Sequence, residues 1–146
     1  MKIHQLSLFL ENKPGQLTEP CRLLAQAGIN IRTLTLADTQ EFGILRLIVS
    51  DWQKGARLLE EAGYVVNVTE VVAVEVPDRP GGLAELLAVF DSTDINIEYM
   101  YAFTFGRGDT AVMIFRFDKP DAAIERLQLA GNIIVGSTEV YTRIGK

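Results

Sequence analysis

The sequence predicts an α+β protein made of two ferredoxin-like βαββαβ units, each with a four-stranded antiparallel sheet and two helices on one face. One segment occurs twice, at residues 12–17 and 78–83, and a second segment is repeated at the same offset of 66 positions. Strand-like and helix-like apolar patterns also follow one another in the same order in both halves of the chain. We therefore expect two domains, at residues 1–69 and 70–146.

Composition limits the class of protein and its partners. A chain with 48% hydrophobic and 23% charged residues is typical of a globular protein. A net charge of −5 argues against nucleic acid or an anionic membrane surface as a partner. The single cysteine, Cys21, excludes an internal disulfide and a cysteine-based metal cage. Without a long apolar run or a signal-peptide pattern, we expect a soluble cytoplasmic protein that needs no metal or cofactor.

The first half predicts four strands and two helices. Pro14 and Gly15 end the first strand, and Leu17, Cys21 and Leu24 then recur at the spacing of one helix face. The expected elements are strands at residues 3–10, 29–37, 43–49 and 65–68, and helices between Gly15 and Gly28 and between Asp51 and Gly63.

The second half repeats this order, with a two-residue insertion at a predicted hairpin tip, residues 106–108. Leu83, Leu87 and Phe90 predict its first helix, and Pro120 opens the second. The expected strands are residues 71–76, 96–105 and 111–117, with a closing strand made of residues 133–135 and 139–142.

One face of each predicted sheet is unusually apolar. Ile44 and Ile48 in the first unit, and Val112 and Ile114 in the second, lie on the face that points away from the helices. An apolar face of this extent favours burial against another sheet, either between the units or between chains. Scattered surface aliphatic residues are the alternative.

Four short motifs give the chain its resemblance to tandem ACT-domain proteins, and the resemblance covers nearly the whole length. It implies ferredoxin-like modules that bind free amino acids and regulate enzymes of amino-acid metabolism. It also implies ligand binding at domain interfaces, near the loop between strand one and helix one. The motifs are Asn12-Lys13-Pro14-Gly15-Gln16-Leu17 with Gly28-Ile29-Asn30-Ile31, and Asp78-Arg79-Pro80-Gly81-Gly82-Leu83 with Asp94-Ile95-Asn96-Ile97.

The chemistry of an amino-acid ligand fits that loop. A helix N-terminus presents unpaired N–H groups and a positive dipole end to a carboxylate, and glycine lets the carboxylate approach the backbone. Asp78 or Asn96 is the candidate acceptor for the ammonium group. Ordinary turn chemistry is the alternative role for these residues. The expected ligand-binding residues are Asp78, Arg79, Pro80, Gly81, Gly82, Leu83, Asn96 and Ile97, with Asn12, Pro14, Gly15, Gln16, Leu17, Asn30 and Ile31 in the first unit.

The two copies of the turn differ in chemistry. Asp78 carries a charge where Asn12 is neutral, and Gly82 replaces Gln16. Aromatic residues are also concentrated near the second copy. These differences favour the second copy as the functional site.

Several other residues are expected to be structural. Tyr99, Tyr101, Phe103 and Phe105 alternate along one predicted strand, without the basic background of an RNA-binding sheet. They indicate packing, with Tyr99 or Tyr101 lining a ligand pocket as the alternative. His4, the single histidine, is also expected to be structural.

The sequence contains no nucleophile–base pair in a motif, no phosphate loop and no metal-ligand motif, so we expect no catalytic residues and no enzyme activity. The expected function is a homodimeric sensor, paired through sheet or helix faces, in which amino-acid binding changes domain packing or dimerisation. Two alternatives are a regulatory subunit of an amino-acid biosynthetic enzyme, which would be its protein partner, and an interaction scaffold with vestigial ligand sites.

Overall fold

The protein is an α+β protein built from two βαββαβ-like units, which confirms the predicted fold class. The structure is a computed structural model and describes residues 2–38, 41–104, 106 and 108–142. Within those ranges, none of the helices has the length and apolar character needed to cross a membrane.

The chain forms two compact units. Residues 4–69 and 141–142 make up the N-terminal unit, and residues 2–3 and 70–140 make up the C-terminal unit. In the middle of the sequence, the boundary between the two units therefore lies between residues 69 and 70. Residues 2–3 belong to the C-terminal unit, and residues 141–142 belong to the N-terminal unit.

The N-terminal unit follows the predicted order of elements. Its strands lie in the order β2-β3-β1-β4, and β3 pairs antiparallel with both β1 and β2, so that β2 is an edge strand. The elements are β1 (Ile3–Glu11), α1 (Thr18–Gln26), β2 (Ile31–Asp38), β3 (Phe42–Val49), α2 (Trp52–Glu61) and the beginning of β4 (Val66–Pro77).

The core of the N-terminal unit lies between its sheet and its two helices. Leu45, Leu47 and Val49 alternate on one face of β3, as predicted, and are fully buried. They share one apolar cluster with Leu24 of α1 and Leu59 of α2. Each fully buried leucine stabilises the fold by roughly 1.5–3 kcal/mol, so this layer fixes the strands that lead to the turn.

Strand β4 differs from the prediction. The sequence predicts separate strands at residues 65–68 and 71–76, but β4 is one continuous strand of 12 residues. Thr69 and Glu70 lie between the two predicted strands, and neither is a glycine or proline that would end a strand.

The C-terminal unit has the same strand order, β7-β4-β6-β5. Its first helix is short, and a 3₁₀ turn at Ala88–Phe90 completes it. The predicted strand at residues 96–105 ends early, and its last residue, Phe105, lies outside the described residues. The elements are α3 (Gly82–Leu87), β5 (Ile97–Ala102), β6 (Thr110–Phe117), α4 (Pro120–Leu129), β7 (Ile134–Val135) and α5 (Ser137–Thr142).

The prediction for the end of the chain is only partly right. Ile134–Val135 pairs with β4, whereas the predicted strand at residues 139–142 is wrong because Ser137–Thr142 forms α5. Valine, tyrosine and threonine at positions 140–142 favour a strand. The serine at the start and the glutamate in the first turn favour a helix, and they prevail.

Most of the apolar residues predicted on the sheet faces that point away from the helices are buried. Ile48 and Ile114 are fully buried, Val112 is nearly so, and Ile44 is half-buried. Burial of this apolar face is thus confirmed for three of the four predicted residues.

Candidate functional site

The repeated turn keeps the same backbone hydrogen bond in both copies. The Asn12 N–H donates to the Glu41 carbonyl at 2.8 Å, and the Asp78 N–H donates to the Asp109 carbonyl at 3.0 Å. The acceptor in each copy is the residue just before β3 or β6. Each turn is therefore hydrogen-bonded to the residue that precedes the third strand of its unit.

Gly15 and Gly81 have the same special backbone conformation. Both have φ of +86°, in the left-handed region that favours glycine. A Cβ added at either position would meet nothing within 4 Å. The conformation thus requires glycine, and the space beside each glycine is open.

Gly82 has a different reason to be glycine. A Cβ at this position would lie 2.1 Å from the carbonyl oxygen of Pro77, and the residue is buried. Its N–H donates to the Arg79 carbonyl at 3.0 Å. Close packing against the end of β4 therefore accounts for this glycine without a ligand.

The two turns lead into different helices. Helix α1 has nine residues and begins at Thr18, whereas α3 has six and begins directly after Gly81. In the second copy, Arg79 donates to both carboxylate oxygens of Glu85, at 3.1 and 2.9 Å. The hydrogen bond from Arg79 lowers the pKa of the Glu85 carboxyl. The cation of the second turn is thus engaged by a carboxylate of its own helix.

A small pocket of about 80 Å³ lies beside the first copy of the turn. It combines apolar side chains with charges of both signs. Lys13 Nζ lies 3.1 Å from a Glu11 carboxylate oxygen, and Asp38 reaches the pocket from the end of β2. The lining residues are Leu10, Glu11, Asn12, Lys13, Gln16, Leu17, Leu36, Asp38 and Gly43.

A larger depression of about 380 Å³ lies beside the second copy. In the described part of the chain, Asp78 is the one residue of the predicted second-copy site that lines it. The remaining lining is formed by the hairpin and β6, and Thr110, at the start of β6, donates a hydrogen bond to Glu75 at 3.2 Å. The lining residues are Asp78, Phe103, Thr104, Gly106, Gly108, Thr110, Ala111 and Val112.

The strand-start asparagines are anchored through their backbones. The Asn30 N–H donates to Ser50 Oγ at 3.0 Å, and its carbonyl accepts the Ser50 N–H at 2.9 Å. Asn96 makes the same two bonds to Asp118, at 2.8 and 3.1 Å. Both asparagine side chains are exposed.

Within one unit, these asparagines lie far from the turn. In β2, Ile31 pairs with Val49, and Asp38 pairs with Gly43 beside the first pocket. Asn30 therefore lies at the opposite end of β2, roughly 25 Å from Asp38 at about 3.3 Å per residue. A single unit does not bring the two predicted halves of the site together.

The remaining predicted residues lie in the turns or at the strand starts. Leu17 and Leu83 are 38% and 37% exposed, so that each offers an apolar surface at the start of its helix. Leu17 is not part of the buried helix face, because α1 begins one residue later. Ile31 and Ile97 are half-buried and pack against the cores of their units, and Pro14 and Pro80 are exposed.

Two other groups that were expected to be structural, the β5 tyrosines and His4, are half-buried. Tyr99 and Tyr101 lie on the same face of β5 and are half-buried, whereas Phe105 and Arg107 fall outside the described residues. His4 stacks on Trp52 with ring centroids 4.2 Å apart. Among the described residues, no three or more His, Cys, Asp or Glu side chains cluster as they would around a metal ion.

Some pocket residues are absent from the predicted site. Lys13, Leu36, Asp38 and Gly43 line the first pocket. The repeat offers one signal for Lys13, because a cation stands at the same position, Arg79, in the second copy. The other three come from β2 and β3, and only the strand pairing brings them to the turn.

The chain belongs to the family described as an ACT domain pair, whose model matches residues 1–139. The fold, with its two repeated turns, is therefore that of paired ACT domains, which are regulatory rather than catalytic modules.

The chain is also similar to solved structures and to a curated protein sequence. A Bacteroides thetaiotaomicron protein is 38% identical, with a TM-score of 0.90 over 97% of this chain and 96% of that one. The ligand-free regulatory subunit of aspartate kinase from Thermus thermophilus has the same fold at 19% identity, with a TM-score of 0.63 over 87% and 91% of the two chains. The acetolactate synthase small subunit of Buchnera aphidicola subsp. Baizongia pistaciae is 29% identical over 79 residues, 51% of this chain. The chain spans about half, 49%, of that curated relative.

Proposed function

We propose that this protein is a non-enzymatic regulator that binds a free amino acid, and that its ligand site is the first copy of the turn. The observation that carries the proposal is the small pocket beside the turn at residues 12–17, which residues of β1, β2 and β3 also line. It places a cation, carboxylates and apolar side chains around one small cavity. A zwitterion with an aliphatic side chain has the complementary groups. The function is proposed for the cytoplasm, where free amino acids are available to a soluble sensor.

The charged groups assign an orientation to the ligand. Its carboxylate binds Lys13 and the open backbone beside Gly15, near the N-terminus of α1. Its ammonium group binds the carboxylate of Asp38, which reaches the pocket from the end of β2. Lys13 already lies 3.1 Å from Glu11, so the ligand carboxylate takes the place of Glu11, whose side chain is 61% exposed and is then solvated by water.

The apolar side of the pocket sets the preferred side chain. Leu10 is buried, and Leu17 and Leu36 are partly exposed on the cavity wall. Covering exposed leucine surface is favourable by roughly 25 cal/mol per Å². A small aliphatic amino acid fits a cavity of about 80 Å³ better than an aromatic one.

The second copy is the weaker candidate, contrary to the preference from sequence. Its extra glycine packs against Pro77, and the N–H of Gly82 is used within the turn. Arg79 donates two hydrogen bonds to Glu85, whereas Lys13 makes one contact with Glu11, so a ligand carboxylate competes with a stronger ion pair at the second copy. We therefore propose that the second turn is a structural copy.

The strand-start asparagine reaches the ligand from a second copy of the chain. β2 is an edge strand on which Leu34 and Leu36 are 39% and 50% exposed. If β2 pairs antiparallel with itself around Thr35, Leu34 of each chain lies against Leu36 of the other. The same register brings Asn30 of the second copy just beyond Asp38 of the first.

This arrangement gives the ligand a way to transmit a signal. A ligand held by the turn of one chain and Asn30 of another binds the paired state better than the separate chains. Only such a difference in affinity can shift the equilibrium between two states. Amino-acid binding is thus expected to favour the dimer.

A thermal-shift screen against the free amino acids tests this function. At a hundredfold excess over the dissociation constant, the bound amino acid stabilises the fold by about 2.7 kcal/mol. Stabilisation by one or a few aliphatic amino acids is expected. If none of them raises the melting temperature, and calorimetry also detects no binding, the proposed function is wrong.

A second candidate is a regulatory subunit that acts on a catalytic partner. The similarity to an acetolactate synthase small subunit favours it. Co-purification from the native cell with a stoichiometric enzyme of amino-acid biosynthesis is the expected result in that case. A third candidate, a scaffold with vestigial sites, is favoured if Lys13→Gln and Asp38→Asn leave partner binding unchanged and no amino acid binds.

A further inference from the structure

Gly43 of β3 is a glycine that the backbone does not require. It lies inside a strand, where glycine loses more conformational freedom on folding than other residues and weakens the sheet. Its φ is outside the left-handed region, unlike that of Gly15 or Gly81. A glycine inside a strand often marks a place where a ligand or another chain segment approaches closely.

The space that a side chain at position 43 would need is bordered mainly by Leu36. A Cβ added to Gly43 would lie 3.1 Å from Leu36 Cδ1, and the nearest backbone atom would be the carbonyl oxygen of Ala37, at 3.7 Å. The closest atom is therefore the end of a flexible side chain, which is 50% exposed, and not backbone as at Gly82. A small shift of Leu36 is enough to admit alanine, so packing does not demand glycine either.

Gly43 lies between the charged side and the apolar side of the first pocket. It pairs with Leu10 of β1 on one side and with Asp38 of β2 on the other. Residues that lie opposite each other in neighbouring strands point to the same face of the sheet. The carboxylate that binds the ligand ammonium group and the buried leucine thus stand on either side of a position without a side chain. That position is where the side chain of the ligand has room, with Leu36 as the wall.

The second copy of the repeat has different residues at these two positions. Its equivalents are Ala111 for Gly43 and Ala102 for Leu36, as the strand pairings of the two units show. A glycine beside a large side chain is thus replaced by two alanines. The cavity beside the first copy measures about 80 Å³, and the depression beside the second about 380 Å³. A narrow apolar slot is therefore found beside the first copy and not beside the second.

We propose that Gly43 and Leu36 determine which amino acid binds. The missing side chain at position 43 provides the space for the side chain of the ligand, and Leu36 limits its length. The inference rests on the proposed function, in which the ligand binds at the first copy of the turn. In an apolar pocket, one methylene group changes the discrimination between two ligands by roughly 10–200-fold, so a single methyl group at position 43 has a measurable effect.

Calorimetric titration with a homologous series of amino acids measures the length of this slot. The probes are glycine, alanine, 2-aminobutyrate, norvaline and norleucine, each one carbon longer than the last. Gly43→Ala and Leu36→Ala are compared with two matched controls, all in the full-length chain. Leu34→Ala makes the same truncation on the same edge strand, at an exposed side chain that does not line the pocket. Gly136→Ala adds the same methyl group where it meets nothing within 4 Å.

The probe that binds most tightly is expected to change in opposite directions in the two test variants. Gly43→Ala weakens the tightest ligand of the wild type about tenfold or more and prefers a shorter one, because the new methyl group occupies the slot. Leu36→Ala prefers a longer one. Leu34→Ala and Gly136→Ala keep the preference of the wild type. If Gly43→Ala does not fold, the result for Leu36→Ala decides alone.

Three results would overturn the proposal. They are an unchanged preference in Gly43→Ala or Leu36→Ala, the same change in Leu34→Ala as in Leu36→Ala, and a wild type that binds glycine most tightly. In each of them the wild type still binds an amino acid, so the proposed function stands and only the role of Gly43 and Leu36 is lost. If no free amino acid binds the wild type, the proposed function itself fails, and this role fails with it.

Discussion

Replacement of Gly82 by alanine distinguishes a glycine required by packing from one that faces a ligand. The added Cβ would lie 2.1 Å from the carbonyl oxygen of Pro77 and 3.0 Å from its carbon. Both atoms belong to the backbone at the end of β4. The variant can fold only if the turn or the strand end moves.

The expected loss of stability follows from this geometry. Overpacking costs roughly 1–3 kcal/mol, and weakening the hydrogen bond from the Gly82 N–H to Arg79 adds about 1 kcal/mol. We therefore expect the free energy of unfolding to fall by about 2–4 kcal/mol. For a chain of 146 residues, each kcal/mol corresponds to roughly 3 °C, which gives a melting temperature lower by about 6–12 °C.

Calorimetric unfolding of the Gly82→Ala variant provides the measurement. Gly136→Ala is the control, because a Cβ there meets nothing within 4 Å and the backbone is outside the left-handed region. Its melting temperature is expected to stay close to that of the wild type. If Gly82→Ala melts like the wild type and loses amino-acid binding, the packing explanation is refuted and the glycine faces the ligand.

Two further predictions concern the ion pair of the second turn and the edge strand. Because Arg79 lowers the pKa of Glu85, the pair stabilises the fold above the ordinary carboxyl pKa of 4.5, and this stabilisation is lost as the pH falls through the lowered pKa. The difference in melting temperature between wild type and Glu85→Gln is thus expected at neutral pH and absent in strong acid; a pH-independent difference would contradict the linkage. Leu36→Lys is expected to shift the dimer toward monomer in analytical ultracentrifugation, whereas Leu129→Lys, at a 79% exposed position in α4, leaves it unchanged. Equal behaviour of the two variants would exclude pairing along β2.

Much of the fold can be predicted from the repeated segments and the apolar patterns between them. Pro-Gly before each first helix and the two Asn-Ile strand starts locate the first three elements of each unit, and the apolar patterns of strands and helices predict the rest. The errors arise where local signals conflict. Residues 140–142 have strand-forming side chains, but the serine and glutamate before them begin a helix.

The candidate site was harder to predict, because the role of a residue depends on which atoms it contacts. In the sequence, Gly82 suggests that a ligand can approach the backbone. In the structure, the carbonyl of Pro77 occupies the space that a side chain at this position would need. Leu36 and Asp38 carry no motif and lie 19 and 21 positions after Leu17, the last residue of the turn. They join the pocket because β2 pairs with β3 in a register that brings their strand end to Gly43.

The assignment of the ligand to the first turn is tested most directly by calorimetric titration of two matched variants, Asp38→Asn and Asp78→Asn. Each replaces one exposed carboxylate by its neutral isostere, beside the first and the second turn respectively. We expect Asp38→Asn to weaken binding of the stabilising amino acid about tenfold or more, the effect of a lost charge-assisted hydrogen bond, and Asp78→Asn to leave it unchanged. Loss of binding in Asp78→Asn with wild-type affinity in Asp38→Asn would place the ligand at the second turn and contradict the proposal.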